Sequence, residues 1–182
     1  MISANRQRFV FNWADSCWIF LWVCITAISC KVYSFKDVSI PPEVKTIRIG
    51  FIENRARYID PQLSPQLTDK LKQKISNQTK LIQVQTDNAD YDVQAYVSAF
   101  DVTTAGVSNQ NASINRLTVT VHLALKNRLS EQKLGTPDFE TDITRNFDFP
   151  ATQITTDAMA TLMPQIVQQL TDDMFNRLFS NW

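Results

Sequence analysis

Three thiols and one imidazole are the side chains of this sequence best suited to nucleophilic or soft-metal chemistry. Their spacing argues against both uses. Cys17, Cys24 and Cys30 all fall within the first 30 residues, while the single histidine, His122, lies more than 90 residues further on with no cysteine near it. A zinc site needs His and Cys ligands converging on one point, and no such cluster is visible in the order of residues. His122 falls on the polar side of the alternation in "TVTVHLALK", with Thr118, Thr120 and Lys126, so it reads as a solvated or cross-strand-bonded side chain rather than a general base beside a nucleophile. Asp and Glu are scattered without a distinctive converging pair, which disfavours a hydrolase built on two carboxylates. Only three glycines occur, too few for a loop whose backbone N–H groups cradle phosphate. The reading is a non-enzymatic protein with no cofactor and no metal.

The cysteines belong to a different chemistry. Arg6 and Arg8 precede an apolar run from about Ser16 to Ile28, after which come small Ser29 and Cys30. That is the layout of a secretory signal peptide. Thirteen helical residues reach about 20 Å, short of the ~30 Å hydrocarbon core, so a permanent membrane span is the weaker reading. The end of the run, "TAISC", resembles the bacterial lipobox, whose cysteine becomes the first residue of the mature protein and carries lipid; Ala27 departs from the Leu usual at that place. Cys24 is the rival acceptor, but bulky Trp22 and Val23 precede it. The alternative for all three thiols is burial as small apolar groups or disulfide pairing. Acylation of Cys30 is the favoured reading, with 1–29 a leader, 30–43 an extended tether containing Pro41 and Pro42, and 44–182 one domain. The covalent lipid is then the only attached group. Eighteen basic residues balance eighteen acidic ones, so no overall field draws the protein to nucleic acid.

Alternation sets the elements. "VKTIRIGFI" (44–52) predicts a strand with Ile47, Ile49 and Phe51 on one side, and Leu63, Leu67, Leu71 and Ile75 line one face of a helix with Ser64 as N-cap and Pro65 at its first position. "LIQVQT" (81–86) predicts a short strand, and the run from Tyr91 to Ala99 a longer one; "TTAGVSNQNAS" reads as a loop. "NRLTVTVHLALKNR" and "FETDITRNFDF" predict two further strands forming a hairpin, with the acids of the second facing Lys126 and Arg128 of the first. Apolar residues from Met159 to Leu178 predict a terminal helix, either starting near Thr161 or, as favoured here, running through Pro164 with a bend. The order β-α-β-β-β-β-α indicates an α+β fold, two helices on one face of a four- to five-stranded mixed sheet and a polar face left wet or for a partner.

The lipobox cysteine, "VYSF", "SIPPEVKTI", "NRLTVTV" and the closing "FNRLFSNW" resemble the LptE-like lipopolysaccharide-assembly lipoproteins of Gram-negative bacteria, over the chain from Cys30 to Trp182. The resemblance implies a protein anchored on the periplasmic face of the outer membrane, partner and plug of an LptD-type β-barrel, helping deliver lipopolysaccharide to the cell surface and binding it directly in some members. Arg116, Lys126 and Arg128 are the candidate contacts to lipopolysaccharide phosphates or to the partner, with cross-strand pairing to acids as the competing role. The alternative function is a lipid-anchored scaffold or binding module of another envelope complex.

Overall fold

The computed structural model describes residues 40–108, 111–129, 131 and 135–180. Eight elements follow in order: β1 Thr46–Ile49, β2 Glu53–Asn54, α1 Leu63–Gln78, β3 Ile82–Gln83, β4 Tyr91–Ser108, β5 Asn111–Asn127, β6 Phe139–Pro150 and α2 Thr155–Phe179. The strands form one sheet in the order β3-β1-β4-β5-β6, with β2 also beside β4. β1 runs parallel to β3 and β4, while β4, β5 and β6 are successively antiparallel, so the sheet is mixed. This is the α+β arrangement expected from the alternation, with the two-residue β2 as an added strand.

Both helices cover one face. Leu63, Leu67, Leu71 and Ile75 of α1 and Ile166, Leu170 and Met174 of α2 are fully buried with Val119, Val121 and Leu123 of β5. Each such side chain contributes about 1.5–3 kcal/mol of transfer free energy, which is why i, i+4 spacing in the helices and i, i+2 spacing in the strands select the same core. Ion pairs clasp the layers at their rims. Lys74 of α1 meets Asp172 of α2 at 2.5 Å, and the Arg145 guanidinium of β6 reaches Asp173 of α2 at 2.5 and 2.6 Å.

Several local expectations change. The stretch read as a loop is strand: β4 continues to Ser108 and β5 starts at Asn111, paired from Thr103↔Arg116 to Ser108↔Asn111. Main-chain pairing in a hairpin needs no apolar alternation, so the polar sequence hid it. In the first strand, Ile47 and Ile49 are buried but Phe51 is 58% exposed and Ile52 is buried instead. The Gly50 N–H donates to the Val93 carbonyl at 2.9 Å, and then the Ile52 N–H turns to the Thr68 hydroxyl of α1 at 3.0 Å, which shifts the inward side by one residue. The strand read over 81–86 is only two residues long. α1 starts at Leu63, not after Ser64; Pro65 is its third residue, no side chain caps it, and the buried Ser64 hydroxyl has no partner among the described residues. α2 is a single helix on both sides of Pro164, which excludes a start near Thr161. Pro164 and Ala160 both face solvent, so water can solvate the carbonyl that the missing N–H leaves open.

One carboxylate ties β1 to the start of β4. Asp90 accepts from the Lys45 N–H, the Thr46 N–H and the Thr46 hydroxyl, each at 2.9 Å, while its own N–H donates to that hydroxyl. Burial pushes the Asp90 carboxyl up, but these three donors and the nearby Lys45 charge outweigh it and hold the group below its ordinary value. A depressed folded-state pKa stabilises the protein above the unfolded value near pH 4 and ceases to do so as pH falls through the folded value. Asp90→Asn is therefore expected to cost about 1 kcal/mol at pH 7, allowing for partial exposure, and to lessen the loss of stability below pH 4. Urea melts at pH 7 and pH 3 check both parts; an unchanged acid dependence would contradict the assignment.

Candidate partner-binding face

The sheet face opposite the helices takes every second residue of the long strands. The pairing of β5 with β6 puts polar groups opposite one another, and they bond in register. The Arg116 guanidinium grips Asp148 with two hydrogen bonds, 2.7 and 2.9 Å; the Thr118 hydroxyl donates to Asn146 at 2.8 Å; Thr120 and Thr144 hydroxyls are 3.0 Å apart; and His122 Nδ1 lies 2.8 Å from Asp142. The ring of His122 stacks on Tyr96 of β4 at 4.9 Å, and the Arg55 guanidinium sits 4.4 Å from the Tyr96 centroid. At the other side of the face, Arg48 of β1 donates to Asp92 of β4 at 2.8 and 2.7 Å and also pairs with Asp87. Its hydrogen bonds hold the Asp92 carboxyl below the ordinary range against the opposing effect of burial, and Lys126 adds to the lowering. Asp148 is lowered chiefly by its hydrogen bond from Arg116. Between these groups small Ala124 leaves an open hollow of about 510 Å³, bordered by Arg48, Gln94, Tyr96, His122 and Glu140.

The residues singled out from sequence are dispersed. Arg116 and Lys126 are ten residues apart on β5, about 34 Å along an extended strand, so no single phosphate group meets both. Arg116 takes the cross-strand role. The expected pairing of Lys126 and Arg128 with the acids of β6 does not form as read: Lys126 stands opposite Asp92 of β4, and Arg128 donates to the Asn88 side chain at 3.0 Å and through its N–H to the Asp90 carbonyl at 2.9 Å. The antiparallel register places the β6 acids lower down the strand. Cys30 lies outside the described residues. Arg48, Asp92 and Tyr96 were not singled out from sequence; alternation in "TIRI" and "YDVQAY" puts all three on the polar side, but the parallel pairing that joins Arg48 to Asp92 spans 44 residues and leaves no local pattern.

Chemically the face offers neutralised pairs and short-range hydrogen bonding. Among the described residues no group of three or more His, Cys, Asp or Glu side chains is placed to hold a metal ion. The class that fold and face define is an α+β module with one side sealed by helices and the other presented as a charge-compensated polar surface. Residues 44–178 match the LptE family, described as lipopolysaccharide-assembly, and the chain belongs to that family. Among solved structures it is similar to the rare lipoprotein B of Shewanella oneidensis, at 12% identity over 71% of this chain and 92% of that one, with a TM-score of 0.49. It is also similar to a minor lipoprotein of Acinetobacter baumannii, at 14% identity over 76% and 97% of the two chains, TM-score 0.43. No curated protein matches in sequence.

Proposed function

We propose that the protein is a lipid-anchored lipopolysaccharide-assembly component, acylated on Cys30 after loss of residues 1–29, held by the 30–43 tether on the periplasmic face of the outer membrane, and seated as partner and plug in an LptD-type β-barrel. The observation that carries this reading is the family match across 44–178, nearly the whole described domain. The polar face supports it on physical grounds. A plug must have its surface sheathed by the surrounding protein, and burying an unpaired charge costs several kcal/mol. Arg116 and Arg48 already hold carboxylate partners, so covering these two arginines strands no charge, and His122 is hydrogen-bonded to Asp142. Affinity purification of the acylated protein from native membranes is expected to bring a barrel protein in near-equal amount, and depletion is expected to reduce surface lipopolysaccharide. Isolation as a lone monomer in mild detergent, with surface lipopolysaccharide intact on depletion, would overturn the reading in favour of another envelope complex.

A further inference from the structure

An open hollow of about 520 Å³ lies at the end of the domain where the chain enters from its N-terminal side, between the segment 40–45 and the corner that joins α1 to β3. Its walls include Ile40, Pro41, Pro42, Val44, Leu81 and Ile82, and Lys45 and Lys80 stand among them; no carboxylate lines it among the described residues. Ile82 is 63% exposed. The two lysine-bearing segments are bonded together, the Ile82 N–H donating to the Lys45 carbonyl at 2.8 Å. Ile82 belongs to the edge strand β3, whose two residues are too few to template another strand, so sheet extension does not explain the exposed side chain.

We propose that this cleft rests on the phospholipid surface to which the protein is anchored, with Ile82 and the prolines in the interface and Lys45 and Lys80 on headgroup phosphates. The proposal rests on acylation of Cys30 in the reading above. Three observations single out a lipid surface as the occupant. Cys30 precedes Ile40 by ten residues, so even a fully extended tether holds this end of the domain within about 35 Å of the anchoring point. Cations without acids among the lining residues match anionic headgroups, and an aliphatic side chain flanked by lysines suits the boundary between headgroup and acyl chain.

The test uses the full acylated chain in vesicles of phosphatidylethanolamine and phosphatidylglycerol, with an environment-sensitive nitrobenzoxadiazole label on I82C or, at the far end of the sheet before α2, on I154C. Ile154 is similarly exposed, at 68%, which makes it the control. Intact mass establishes the acyl group on Cys30 in each preparation. The expected result is a blue-shifted I82C label quenched at least twofold more by headgroup-region nitroxide lipid than the I154C label. Charge reversal by K45E/K80E should return it to the I154C level with acylation unchanged, since each lysine near an anionic surface is worth about fivefold in local partition. An acylated protein whose I82C label stays water-like overturns this proposal alone. A label shielded from aqueous iodide yet unquenched by nitroxide lipid also overturns it, because protein then covers the cleft. An unmodified Cys30 overturns both this proposal and the anchored reading.

Discussion

Gly135→Ala is expected to destabilise the domain by about 3–5 kcal/mol, the largest effect of any single methyl group added to a described glycine. Gly135 has φ +78°, a backbone conformation in which an L side chain costs about 1–2 kcal/mol. The added Cβ would also stand 2.3 Å from the Tyr91 hydroxyl and 3.1 Å from its Cζ, with Val44 Cγ2 at 3.2 Å. Tyr91 cannot swing aside cheaply. It is fully buried as the first residue of β4, paired with Ile47 of β1 and Asn127 of β5, and its hydroxyl accepts the Thr136 N–H at 2.7 Å. Overpacking of a filled site costs about 1–3 kcal/mol and the lost hydrogen bond about 1. Urea unfolding at unchanged m-value measures the total. Tyr91→Phe separates the parts: it removes only the acceptor and should cost about 1–2 kcal/mol. A Gly135→Ala variant within 1 kcal/mol of the parent would show that the turn relocates freely and that Tyr91 is not its anchor.

The same corner shows what kind of information the sequence carried. Tyr91 was legible as an inward strand residue because Val93, Ala95 and Val97 repeat its parity, and burial follows parity. Its hydroxyl bond to residue 136 was not legible, since it joins segments 45 residues apart. The helices were read in the right places because four or more apolar residues recur at helical spacing, whereas the start of α1 was misplaced by Ser64, a good N-cap type that the fold buries instead. Alternation also breaks at the register shifts of β4, between Val97 and Ala99 and between Thr104 and Gly106. Beyond the second of these bulges the pairing continues to Ser108↔Asn111 through a polar sequence whose composition mimics a loop. On the polar face, the residue types were visible but their pairing was not. Which acid meets which base follows from the β5–β6 register, in which Arg116 falls opposite Asp148 and His122 opposite Asp142, with Leu117, Val121, Phe147 and Ile143 on the inward face.

Behind a leader replaced by one that is cut without acylation, Cys30→Ala is expected to shift the protein from the membrane fraction to the soluble periplasmic fraction, lowering membrane partition by at least a thousandfold. Under the proposed anchoring, each acyl methylene buried contributes about 0.8 kcal/mol, and a single fourteen-carbon chain already gives a binding constant near 10⁴ M⁻¹, with durable attachment needing more than one. What remains without the lipid is small. Among the described residues no helix is long and apolar enough to cross a membrane, and equal numbers of basic and acidic residues leave no net attraction to an anionic surface. Lys45 and Lys80 add about 1 kcal/mol each at low salt, which retains an anchored domain in a given orientation but does not hold a free one. Cys17→Ala and Cys24→Ala should leave partition unchanged, since both residues depart with the proposed leader. Stability of the mature domain should be unaffected by Cys17→Ala and Cys24→Ala, because the proposed leader is removed before the domain is complete. Fractionation with carbonate washing, paired with intact mass, reads the outcome. A Cys30→Ala protein shown by intact mass to have lost its leader, yet staying in the washed membrane pellet, would mean that a protein contact, and not a lipid, is the principal hold.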